Sequence, residues 1–64
     1  MSLPTKGRVL VVDDDVDLAK LLGRYLIKAD LDVGVRHDGN AAVDAVREFK
    51  PDVVVLDLGL PGID

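Results

Sequence analysis

The stretch "PDVVVLDLGLPGID", residues 51–64, decides the fold. Four apolar residues, Val53 to Leu56, run straight into an acid at Asp57, and Gly59, Pro61 and Gly62 then break the pattern. A short continuous run of this kind, rich in β-branched residues and bounded by turn residues, suits a strand buried on both faces, as in parallel sheets. The same arrangement stands near the other end of the chain. In "RVLVVDDD", residues 8–15, the apolar run Val9 to Val12 meets Asp13, Asp14 and Asp15.

Between the two runs the period changes. Leu18, Leu21, Leu22, Tyr25, Leu26 and Ala29 recur at helical spacing and predict one apolar stripe, with Asp17, Lys20, Arg24 and Lys28 toward water. Asp14 or Asp15 is placed to cap the start of this helix, and Lys28 suits its C-terminal dipole. "LDVGVRH", residues 31–37, alternates and reads as an edge strand, with Leu31, Val33 and Val35 on one side. "HDGN" is a turn able to cap a second helix over 41–49, where Ala42, Val46 and Phe49 recur, with Val43 and Ala45 beside them. Lys50-Pro51 ends it, because proline disfavours helix at the preceding residue.

The order is strand, helix, strand, helix, strand. Helical crossovers between strands imply a parallel sheet, and each crossover is expected to be right-handed. With the most apolar strand in the middle, the fold class is α/β: a three-stranded parallel sheet of order 2-1-3 built from one βαβαβ unit, with the helices on opposite faces. Residues 1–7 read as a tail and 8–64 as the folded unit.

Composition bounds the function. The chain has 64 residues, so it is one small domain at most, and a domain of this size buries only about 60% of its unfolded surface. There is no cysteine, hence no disulfide or thiolate metal site. A net charge of −4 argues against contact with nucleic acid by this segment. No apolar run approaches the roughly 20 residues of a membrane helix, and no signal-peptide pattern stands at the start. The expected compartment is the cytoplasm.

In parallel α/β sheets, ligands bind beyond the carboxyl ends of the strands where strand order reverses. For order 2-1-3 that point lies between the first and third strands, where Asp13, Asp14 and Asp57 follow the strand ends. Clustered carboxylates repel unless a cation neutralises them. Mg²⁺ takes hard oxygen ligands, usually one or two carboxylates with water or phosphate oxygens. Gly59, two residues past Asp57, could add a backbone carbonyl. Acids around such an ion suit phosphoryl chemistry, and a carboxylate can itself become an aspartyl-phosphate.

The pair "VLVVDDD" and "VVVLDLGLPGID", with "LAKLLGRYL" and "HDGNAAVDAV" between them, resembles the receiver domain of two-component response regulators, from Arg8 to Asp64. The resemblance implies a phosphoaccepting signalling module of doubly wound fold rather than an enzyme acting on external substrates; any catalysis is of its own phosphorylation and dephosphorylation. It implies that Asp57 accepts a phosphoryl group from the phosphohistidine of a sensor histidine kinase. It implies that Asp14, Asp57 and the Gly59 carbonyl bind Mg²⁺, that Asp13 acts through water, and that Asp15 caps a helix. The family has five strands and five helices. Its fourth strand ends in Ser or Thr and its fifth in Lys, both of which meet the phosphoryl group. The present chain corresponds to the first half, which predicts impaired phosphorylation and a homodimer formed through the exposed third strand and the bare sheet faces.

Plainer readings stand beside these. One of Asp13 to Asp15 is needed as a helix cap, Gly59 also serves the turn, and Asp64 reads as solvated. His37, the sole histidine, reads as a solvated loop residue. A Mg²⁺-dependent phosphohydrolase with an aspartate nucleophile is the alternative function. Its familiar signature wants a second acid where Gly59 stands. A purely self-associating half-domain is the third possibility.

Overall fold

The structure, a computed structural model, describes residues 6–56. Five elements follow in order: β1 (Arg8–Val12), α1 (Val16–Lys28), β2 (Asp32–Arg36), α2 (Gly39–Phe49) and β3 (Val53–Leu56). The sheet has the order β2-β1-β3, and both pairings are parallel. The expected α/β fold and strand order are therefore present.

β1 is the core. Leu10, Val11 and Val12 are essentially inaccessible to solvent, and Val9 is buried with them. The pleat sends alternate residues to opposite faces. Val9 and Val11 pack with Ala19, Leu22, Leu26, Leu31, Val33 and Val35 on the α1 side. Leu10 and Val12 pack with Ala42, Ala45 and Phe49 on the α2 side. One strand thus feeds two separate clusters, one under each helix.

The helices begin and end for local reasons. Asp15 has extended backbone, and its carboxylate accepts the Leu18 N–H at 3.1 Å. Asp38 does the same for Ala41 at 2.8 Å, so α2 starts at Gly39, two residues before the apolar spacing suggested. Lys50 closes α2 in the left-handed region, with φ 52°, just before Pro51. Its N–H still reaches the Val46 carbonyl at 3.1 Å.

The foot of the sheet is held by Arg8. Its backbone N–H donates to Asp52 Oδ2 and its carbonyl accepts the Asp52 N–H, both at 2.8 Å. Its guanidinium donates to the Phe49 carbonyl at 2.9 Å, occupying one of the orphan acceptors at the end of α2. The ion pair to Asp32 at 3.5 Å is half exposed and contributes little. Pairing begins before β1, since Lys6 N–H reaches Asp30 O and Gly7 O accepts from Asp32 N–H.

Two details of the helix faces depart from the sequence reading. The α1 stripe is not buried along its whole width: Leu22 and Leu26 pack on the sheet, but Leu18, Leu21 and Tyr25 are exposed, and Ala29 is the C-cap. The inner face is centred instead on Ala19 and Gly23, where the helix comes closest to the strands. A Cβ at Gly23 would meet Val35 at 3.6 Å and Val33 at 3.8 Å. On α2, Ala42 and Ala45 are buried, whereas Val46 and Val43 are exposed. The cause is shared: both helices lie over β1 and β2, and neither packs on β3. A wide apolar arc on each helix thus exceeds the sheet available to cover it.

Gly34 shows the opposite economy. A Cβ there would stand 3.4 Å from both Leu10 Cδ1 and the Phe49 ring, so the bare backbone lets the single phenylalanine lie against β2.

Leu10→Ala is expected to cost about 2–5 kcal/mol, comparable to the whole stability of a small domain, whereas Leu21→Ala stays within about 0.5 kcal/mol. Urea titration followed by far-ultraviolet circular dichroism measures both. Equal losses would show that α1 buries its outer leucines.

Candidate functional site

The site candidates lie at the carboxyl end of the sheet. Val12 pairs with Arg36 on one side and Leu56 on the other, so the three strands end level. Asp13 and Asp14 follow β1 directly, and Asp57 is the next residue in sequence after β3. Asp57 and Gly59 lie outside the described residues.

The three consecutive aspartates have three different roles. Asp13 is buried, only 4% exposed. Its carboxylate accepts the Asp15 N–H at 2.9 Å and its own N–H donates to the Arg36 carbonyl at 3.0 Å. Asp15 is the N-cap of α1. Asp14 is exposed, and among the described residues no hydrogen bond or ion pair engages its side chain. A short turn between the central strand and the first helix therefore spends two carboxylates on its own architecture and leaves one for another purpose.

His37 is exposed as expected, but its Nδ1 lies 3.1 Å from the Asp13 carbonyl oxygen. Sequence reasoning gave no sign of that contact. The register of β1 against β2 is the signal that could have found it, since His37 follows Arg36 as Asp13 follows Val12.

The donor set fits a hard cation. It consists of carboxylate oxygens, and Asp14 is both open to solvent and unspent. Among the described residues no group of three or more potential metal ligands is gathered. No helix of the described residues is long and apolar enough to cross a membrane.

Comparison with known proteins gives this geometry its context. The profile of the response regulator receiver domain matches residues 9–64. The chain belongs to that family. Among similar curated proteins are the DNA-binding response regulators MtrA of Mycolicibacterium paratuberculosis and of Mycobacterium leprae, each 51% identical over 59 residues. MtrA of Mycobacterium tuberculosis matches to the same degree. These alignments cover 92% of this chain and 26% of each relative, so the chain spans about a quarter of the proteins it matches. Receiver membership makes this a two-component signalling module.

The division of labour among the aspartates is testable. Asp15→Ala should cost about 1 kcal/mol through loss of the cap. Asp14→Asn should leave metal-free stability nearly unchanged. Thermal unfolding of both variants in chelator compares them, and an equal loss at Asp14 would mean its side chain serves the fold.

Proposed function

We propose that residues 8–64 form the N-terminal half of a receiver domain, whose phosphoacceptor is Asp57 and whose acidic pair is Asp13 and Asp14. The observation that carries this is the level ending of β1 and β3 at the reversal of strand order, with acids next in sequence on both. In the proposed reaction a carboxylate oxygen of Asp57 attacks phosphorus, the P–N bond to a kinase histidine breaks, and the imidazole leaves with the bond's electron pair.

Asp14, Asp57 and the Gly59 carbonyl would hold Mg²⁺, with Asp13 acting through water. When bound, the ion offsets charge on the transferred group. The protein's own contribution is to keep Asp14 open beside a buried, hydrogen-bonded Asp13. The partner is a sensor histidine kinase and the compartment the cytoplasm. MtrA relatives are named as DNA-binding. In this chain a net charge of −4 over the 64 residues argues against DNA contact by this segment.

Alone, the 64-residue chain lacks the family's Ser or Thr and its Lys, so charge stabilisation of the transferring group is incomplete. Incubation with acetyl phosphate and Mg²⁺ should give at most a slow, partial phosphoryl adduct by intact-mass spectrometry, absent from Asp57→Asn. Rapid and complete modification would show that this half of the site suffices. An adduct that survives Asp57→Asn would remove the acceptor assignment.

We also propose that the isolated chain forms a homodimer through β3. All four residues of the strand are exposed, from 39% at Val54 to 54% at Val53, and its outer edge is unpaired among the described residues. The strand carries no charge or proline to deter pairing, and a twofold axis places β3 antiparallel to its copy with no like charges opposed. Light scattering after size exclusion should report a dimer at micromolar concentration, and Val54→Lys should convert it to monomer. A cooperatively folded monomer across the range would overturn this.

A further inference from the structure

Asp13 is fastened more firmly than a turn residue requires. Its N–H is taken by the carbonyl of Arg36 and its carboxylate by the N–H of Asp15. Its carbonyl oxygen is met by the ring of His37 at 3.1 Å. Two successive residues at the end of β2 thus hold the two main-chain polar groups of the last buried residue of the β1 segment. His37 also immediately precedes Asp38, the N-cap of α2, so one contact joins the acidic turn to the start of the second helix.

We propose that His37 is a positioning residue for Asp14, acting through the Asp13 carbonyl. The chemistry fixes the direction of the bond. A carbonyl oxygen only accepts, so Nδ1 carries the proton in this bond. The carbonyl so held belongs to the peptide linking Asp13 to Asp14. That unit is planar, so fixing its oxygen fixes the plane from which the Asp14 Cα departs. Asp14 has no side-chain partner of its own among the described residues, so its direction depends on this backbone. An outer group that orients a ligand in this way commonly changes metal affinity by about 10–100-fold when removed. An exposed tether such as His37 belongs at or below the lower end of that range. The inference rests on the reading of Asp14 as a metal ligand, and its test is built to separate the two.

The experiment uses the 64-residue chain with Mn²⁺ as probe, read by electron paramagnetic resonance, in the wild type and in His37→Phe, His37→Asn and Asp14→Asn. Circular dichroism first checks that each variant keeps the wild-type fold. His37→Phe should weaken Mn²⁺ binding about 3–10-fold, and His37→Asn, which keeps an amide donor near the Nδ1 position, should restore it to within about twofold. Ring ¹⁵N shifts of the wild type should show a protonated Nδ1. Amide exchange at Asp14 and Asp15 should accelerate in His37→Phe but not in His37→Asn. Unchanged Mn²⁺ affinity in His37→Phe, while Asp14→Asn abolishes binding, overturns the positioning role and leaves the metal site standing. If the wild type binds no Mn²⁺, the ligand reading of Asp14 falls. The tether is then judged by the ring shifts and amide exchange alone: an unprotonated Nδ1, or exchange indifferent to His37, overturns it.

Discussion

Everything in this chain depends on burying β1 from both sides. A strand whose residues face apolar surroundings in either direction of the pleat needs a helix over each face and a strand along each edge. Parallel neighbours cannot be joined to it by hairpins, so the chain must cross over, and each crossover lays down one of the required helices. The reversal from β2 on one side to β3 on the other puts those helices on opposite faces. It also sets the carboxyl ends of β1 and β3 side by side, the place where ligands of such sheets bind. The core and the proposed site thus share one packing requirement, with acids next in sequence after each apolar strand.

The aspartate run shows how identical residues diverge by position. Asp13 still belongs to the sheet: its N–H continues the β1–β2 ladder, and burial obliges its carboxylate to find a donor, which the Asp15 N–H supplies. Asp15 has left the sheet and begins the helix, so its carboxylate is committed to the Leu18 N–H. Asp14 lies between two structural obligations and has neither. The turn is short enough that strand end and helix start share their anchoring, and the one residue left over is the exposed acid.

What the sequence made legible follows from the strength of each local signal. The β-branched runs at Val9–Val12 and Val53–Leu56, the acids before each helix and the proline after Lys50 all act within a few residues, and the elements begin and end where they direct. Helix faces were less legible. Hydrophobic spacing marks residues able to be buried, not those with something to bury them. Leu21 and Ala19 differ in the structure because a sheet approaches one and not the other. The closest contacts fall on Ala19, Gly23 and Gly34, whose small size carries little weight in an apolar stripe. For the proposed site, the position of Asp13 and Asp14 directly after β1 could be read from the strand end alone. The His37 contact needed the register of two strands, a long-range property with no local signature.

The least covered strand is also the one that leads to Asp57. β3 is paired along one edge only, neither helix packs on it, and every residue in it is exposed. At about 25 cal/mol per Å² of apolar surface, leaving such a strand in water forfeits several kcal/mol, a sum comparable to the stability of a small domain. Asp14 follows β1, whose residues Val9 to Val12 are buried, whereas the strand that precedes Asp57 in sequence is held by one ladder and by the Arg8–Asp52 bonds at its far end. The two acids of the proposed site therefore stand on supports of very different firmness. Any surface that pairs with the free edge of β3, whether a second copy or a further strand of a longer chain, removes apolar area from water and in the same act steadies the segment from which Asp57 departs. On the proposed reading of the site, its completion and that of the sheet are coupled through the same four residues.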